Sequence, residues 1–314
     1  MENGHYGRAD RHRHAHVHLD SGHLDYGRAF AIGAALNITY VAGEAVAGVV
    51  SGSLSLLADA GHNLGDVLGL FLSWGAAVLS RRQPSGRFTY GLRSSSILAA
   101  LANALILLVV TGGIAWEALW RIAHPVPVAS AIVVWVAAVG ILVNGVTALL
   151  FASGRRRDLN LRSAFLHMAA DTLVTAAVAA TGVAIALTGW LWLDPAVSLV
   201  VSGVIVIGTW GLVKSAIGLA LDAVPEGIDA AAVRAHLLGT PGVTALHDLH
   251  IWGMSTTETA LTCHLVMPGG HPGDAMLNGI AQQLDHRFGI HHATIQIELA
   301  DADEACVLTP EHVV

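Results

Sequence analysis

Two histidines and two aspartates stand where ionisable side chains are rarest. His62 and Asp66 lie four residues apart in LADAGHNLGD, and His167 and Asp171 lie four apart in LHMAAD. Both motifs read His-x-x-x-Asp, and both sit inside long apolar stretches. Residues four apart share one face of a helix, so each motif aims an imidazole and a carboxylate at one point. Two such helices facing each other supply two nitrogens and two oxygens, a full tetrahedral set for zinc. Two carboxylates also neutralise a divalent ion, which makes its stay in low dielectric tolerable. Ionisable groups in lipid are costly and mark ion pathways by default. Asp59, seven residues before Asp66 on the same face, suits an entry ligand, a proton acceptor or a helix-packing partner. Glu44, Asn103 and Asn144 suit a water path, although contacts between helices explain the two asparagines better. Lys214 and Glu117, near span ends, are read as structural.

The elements that must carry these groups are membrane spans. The chain has 314 residues, of which 54% are hydrophobic and 12% charged. A soluble globular chain carries about 25% charged residues, so an ordinary cytosolic enzyme is excluded. Disorder is excluded too, because it needs low hydrophobicity and high charge. The net charge of −7 leaves no basic footprint for nucleic acid. Two cysteines, Cys263 and Cys306, cannot build a disulfide scaffold or a four-cysteine zinc site. A spanning helix needs about 20 mostly apolar residues, and six segments qualify, near 29–50, 54–80, 94–119, 128–152, 163–188 and 194–222. Their apolar runs are continuous rather than alternating, which excludes a barrel. The polar start of the chain does not read as a signal peptide. Gly65 and Gly69 in the second span, and Ala169, Ala170, Ala176, Ala177, Ala179 and Ala180 in the fifth, permit close helix approach.

Charge in the loops orients the spans. The 2–3 loop carries Arg81, Arg82, Arg87 and Arg93, and the 4–5 loop carries Arg155, Arg156, Arg157 and Arg162. Arginine-rich loops face the cytoplasm, so six spans place both termini there. Three regions follow: a flexible histidine-rich leader (1–28), a transmembrane domain (29–222) and a small cytosolic domain (223–314). The leader holds His12, His14, His16 and His18 in alternation, a pattern that suits a loose metal collector or a leader without a role. The last region has two arginines against eleven acids. Its apolar spacing predicts the order α-β-β-α-β, a compact α+β sheet with helices on one face.

The sequence resembles the cation diffusion facilitator family, in its bacterial zinc, cadmium and cobalt efflux branch. The resemblance runs through SLSLLADAGHNLGDVLGL, RFTYGLRSSSILAALANALILL, AFLHMAADTL, LDPAVSLVVSGVIV, LHDLHIWGMS and HHATIQIE, over roughly residues 29–299. It implies a homodimer of six-helix protomers in a lipid bilayer, with ferredoxin-like cytosolic domains. It also implies export of divalent metal from the cytosol in exchange for protons. His62, Asp66, His167 and Asp171 match the family's transport site, and a histidine at position 62 goes with zinc, with cadmium or cobalt often tolerated. In the cytosolic domain His247, His264, His291 and Glu298 match metal positions, which implies regulatory zinc and dimerisation there. The chain departs from the pattern at Ser95, where a glutamate is common, at Asp222, where a glutamate is usual, and in a loop 81–93 without histidine.

These observations point to a zinc/proton antiporter of a prokaryotic plasma (inner) membrane, with no organic cofactor and no nucleic-acid partner. Metal binding needs neutral imidazole and releases protons, so histidine can couple the two fluxes. No G-x-x-x-x-G-K-[ST] signature for ATP is present. An intramembrane metalloenzyme would want H-E-x-x-H and an open coordination position. A sensor that moves no metal is the other alternative, and metal flux separates it from a transporter.

Overall fold

The computed structural model describes residues 26–152, 159–299 and 306. The histidines of the leader and Arg155, Arg156 and Arg157 lie outside the described residues. Six long helices come first: α1 (Tyr26–Ser51), α2 (Leu54–Ser80), α3 (Ser95–Ala123), α4 (Ser130–Ala152), α5 (Leu159–Thr188) and α6 (Leu193–Ala220). A helix satisfies its own backbone, as a lipid environment demands. Five of them contain stretches long and apolar enough to cross a membrane: α2, α3, Ser130–Leu149 of α4, Phe165–Thr188 of α5 and α6. Of α1, the apolar stretch Ile38–Ser51 is shorter, so the first expected span is only partly matched among the described residues. Large apolar side chains such as Trp74, Trp116, Trp135 and Leu187 point outward. Such a surface is untenable in water and suits lipid.

α2 is the central element. It lies against α1, α3, α5 and α6, while α4 lies mainly along α5. Leu56 packs with Val133, Ala137 and Val178 on one side, and Ala58 packs with Leu107, Val201 and Ile205 on the other. The start of α2 is fastened by Ser53, whose hydroxyl accepts the Leu56 N–H at 3.2 Å. It is also fastened by Asp194, the acid in the first turn of α6. One Asp194 oxygen accepts from the Ser53 and Ser55 hydroxyls, both at 2.6 Å, and from the Ser55 N–H at 3.2 Å. The other accepts the Leu54 N–H at 2.6 Å. A carboxylate here meets both the free N–H groups and the positive end of the helix dipole.

Close packing has a testable limit at Gly140 in α4. A Cβ there would lie 2.0 Å from the Tyr40 hydroxyl and 2.9 Å from Cγ2 of Thr175. Tyr40 cannot simply swing away, because its hydroxyl donates to Glu44 Oε1 at 2.9 Å. Gly140→Ala gains about 1 kcal/mol of helix propensity but meets an overpacking cost of about 1–3 kcal/mol. The clash is the larger effect, so the variant should melt at lower temperature in detergent. An unchanged or raised Tm would contradict this packing.

The remaining elements form an α+β unit: α7 (Ala230–Leu238), β1 (Ala245–Gly253), β2 (Thr259–Val266), α8 (Asp274–Phe288) and β3 (His292–Glu298). The observed order is the expected α-β-β-α-β. The sheet order is β1-β2-β3, with β1 antiparallel and β3 parallel to β2. α8 makes the crossover that a parallel pair needs. Val233, Leu237, Leu261, Leu265 and Leu284 are fully buried between sheet and helices. The register of β1 slips between His247 and His250, and Asp248 there has φ 51°. This bulge reverses the alternation, so Leu246 and Ile251 both reach the core. It leaves His247 opposite His264 on the other face of the sheet.

The α+β unit is tied to the start of α3. Arg93 pairs with Glu258 in the β1–β2 turn. The Ser94 hydroxyl donates to the Met254 carbonyl at 3.3 Å, and the Thr256 N–H donates to the Ser96 hydroxyl at 3.1 Å.

Candidate metal centre

α2 and α5 meet over a short stretch, and the two His-x-x-x-Asp motifs lie there. His62 Nε2 is 3.4 Å from Asp171 Oδ1 and 3.9 Å from Asp66 Oδ2. His167 Nε2 is 3.3 Å from Asp66 Oδ2 and 3.6 Å from Asp171 Oδ2. Each histidine therefore faces the carboxylate of the other helix as well as its own. The imidazole rings meet edge to face, 6.1 Å between centroids. In a tetrahedron the ligand–ligand edge is about 1.6 times the bond, so bonds of about 2.0–2.2 Å give edges near 3.3–3.6 Å. The four distances fall at or slightly above that range. Asp66, His167 and Asp171 offer atoms that all lie within 4.8 Å of one another, and His62 joins through the two contacts above.

Burial is uneven across the group. Asp171 is buried, while the side chains of Asp66 and His167 are 39% and 45% exposed. Behind them lies a second layer that is wholly enclosed. Asp59 accepts the Thr175 hydroxyl at 2.8 Å, and that hydroxyl also lies 2.9 Å from the Asp171 carbonyl. Glu44 accepts from the Tyr40 hydroxyl and from the Asn63 amide at 3.2 Å. Asp59 and Glu44 are both fully buried. Asn103 lies against Gly69, where a Cβ would stand 2.9 Å from its amide nitrogen, so this glycine lets α3 approach α2. Glu117 pairs with Arg121, whose guanidinium also donates to the Gly52 carbonyl at 2.6 Å.

A second cluster lies on the open face of the sheet. His247, His264, Glu298 and Cys306 offer ligand atoms within 4.8 Å of one another. Glu298 Oε1 is 2.9 Å from His264 Nδ1 and 3.3 Å from His247 Nε2. Burial raises the Glu298 carboxyl's pKa, but the Cys306 thiol and the two imidazoles outweigh it, leaving Glu298 below its ordinary value. Asp248, on the bulge, stands 3.5 Å from His264 Nε2 and 2.8 Å from His250 Nε2. A carboxylate behind a histidine fixes its tautomer and ring orientation.

His291, expected among these residues, is not brought to them. It stands before the first residue of β3, whereas Glu298 is the last. Seven residues of strand separate the two by about 23 Å. Its Nε2 lies 3.8 Å from Asp285 of α8. Cys306, to which the sequence reading gave no place in this site, stands beside the cluster instead. Its thiol chemistry was the available signal, but only folding returns it to the sheet.

Comparison with known proteins decides the family. Residues 30–219 match the cation efflux transmembrane domain, and residues 225–300 match the cation efflux protein cytoplasmic domain. The chain belongs to the cation efflux family. It is similar to the cation efflux system protein CzcD of Alcaligenes sp. (strain CT14), with 35% identity over 279 residues and 88% of each chain covered. It is 34% identical over 292 residues to the zinc transporter ZitB of Escherichia coli (strain K12), covering 92% of each. It is 32% identical over 264 residues to the cadmium, cobalt and zinc/H(+)-K(+) antiporter of Bacillus subtilis (strain 168), covering 82% of this chain and 85% of that one. This cation efflux chain is therefore an integral membrane protein of a metal-transporting family.

Proposed function

We propose that this cation efflux protein exports zinc from the cytosol in exchange for protons, with His62, Asp66, His167 and Asp171 holding the ion in transit. The observation that carries this reading is the crossed arrangement of the two motifs, each histidine within 3.4 Å of the partner helix's aspartate. Nitrogen ligands favour zinc over magnesium and calcium, which take oxygen shells. Cadmium and cobalt accept similar ligands and are the alternative cargo. Asp66 and His167, the more exposed pair, are also the pair nearer the arginine-rich ends of α2 and α5. With those ends cytoplasmic, the site opens toward the cytosol. Neutral imidazoles take the metal there. After the helices rearrange, protons from the far side replace it, and the protonated site returns.

The reading includes a homodimer in a prokaryotic plasma membrane, with both termini cytoplasmic and the α+β unit binding zinc as a regulator. The match of residues 225–300 to the cytoplasmic dimerisation domain of cation efflux proteins supports the homodimer and the cytoplasmic place of the α+β unit. Zinc uptake into proteoliposomes under an imposed pH gradient, beside cadmium and cobalt, tests the energy source. Uptake should collapse when a protonophore removes the gradient. Uptake at an unchanged rate after collapse would refute proton exchange.

A further inference from the structure

The cluster on the open face of the sheet contains a residue that neither motif nor resemblance assigns. Cys306 Sγ lies 3.6 Å from His264 Nδ1. A tetrahedral site with one sulfur at about 2.3 Å and one nitrogen at about 2.0 Å has an edge near 3.5 Å. Two further edges join Glu298 to the histidines: 3.3 Å to His247, near the tetrahedral value, and 2.9 Å to His264, somewhat shorter. His247 is itself more than nine-tenths buried, and its Nε2 faces this group, 3.3 Å from Glu298 Oε1 but without good hydrogen-bond geometry. Such an atom is costly unless something occupies the space before it. His264 is held from behind by Asp248.

We propose that Cys306 is the fourth ligand of a cytosolic metal site made with His247, His264 and Glu298. This rests on the reading that the α+β unit binds metal, and it specifies the ligand set as two nitrogens, one oxygen and one sulfur. On binding, the S–H bond of Cys306 breaks as the sulfur–metal bond forms, and the proton passes to solvent without redox change. A thiolate selects zinc, cadmium and cobalt over magnesium, calcium and manganese. The site would then respond to the cations that the transport site carries and ignore the abundant hard ones. Cys263 cannot serve in its place. It lies within the core between the sheet and its helices.

Cobalt(II) titration of the full-length protein in detergent tests this, because a cobalt–thiolate bond gives a near-ultraviolet charge-transfer band. The band should form in the wild type and in Cys263→Ser, and vanish in Cys306→Ser. Cys306→His should keep the bound cobalt and lose the band, which separates lost sulfur from lost folding. Persistence of the band in Cys306→Ser would overturn the proposal. Cobalt bound in a His264-dependent way with no band in the wild type would overturn the thiolate and leave the cytosolic site standing. Cobalt binding indifferent to both His264→Ala and Cys306→Ser would overturn the site as well.

Discussion

Asp171→Ala should reduce zinc transport by on the order of 100-fold or more while leaving the protein folded. Losing a mere orienting partner of a metal ligand already costs about 10–100-fold, and Asp171 is proposed as a ligand. It is the most buried of the four, and it faces both His62 at 3.4 Å and His167 at 3.6 Å. Removing it leaves one carboxylate to neutralise a divalent ion in low dielectric. The fold should persist, because the Thr175 hydroxyl meets the Asp171 carbonyl rather than its side chain. Asp171→Asn keeps an oxygen donor without the charge and should fall between alanine and wild type. Initial rates of zinc uptake, read with size-exclusion profiles, check this. Alanine transport within a few-fold of wild type would remove Asp171 from the ion's path.

Asp194→Ala should fail for a different reason. Its carboxylate accepts four hydrogen bonds at the start of α2, the helix that carries His62 and Asp66. Truncation strands two backbone N–H groups and one serine hydroxyl at a buried position, since the two hydroxyls, 3.2 Å apart, can satisfy only one of their donors between them. Each stranded donor costs about 1–3 kcal/mol unless water reaches it, so a loss of about 3 kcal/mol or more is expected. For a chain of this size that is a fall in Tm of about 5 °C or more. Asp194→Asn separates charge from geometry. Its oxygen can still accept the two serine hydroxyls and the Ser55 N–H, but its amide would face the Leu54 N–H, donor against donor. It should lose about half as much stability. Thermal unfolding in detergent reads both variants, and an Asp194→Ala Tm equal to wild type would contradict the clamp.

The contrast between these residues shows what the sequence could disclose. The spacing of His62 with Asp66 and of His167 with Asp171 is a local property, because a helix converts a four-residue interval into a shared face. Their rarity in apolar runs then does the rest. Asp194 gives no such signal: an acid at the start of an apolar run reads as favouring its own helix, and only packing shows that it caps α2. Glu44 and Asp59 stood out as charges in lipid, but their enclosure behind the two His-x-x-x-Asp motifs, through Tyr40, Asn63 and Thr175, is tertiary. The α-β-β-α-β order was legible from apolar spacing. The bulge at Asp248 was not, and it decides which face of β1 holds His247. His291 falls away from the cluster and Cys306 joins it, because strand register and tertiary packing set distance there.

Recording zinc and proton movement together in one proteoliposome preparation, with His167→Ala beside the wild type, tests metal-for-proton exchange through the intramembrane site most directly. Zinc entering wild-type vesicles should be matched by protons leaving, at about one or two per zinc given the two histidines, and both traces should be lost in His167→Ala. Zinc movement without a proton counterflow, or both traces undiminished in the variant, would contradict it.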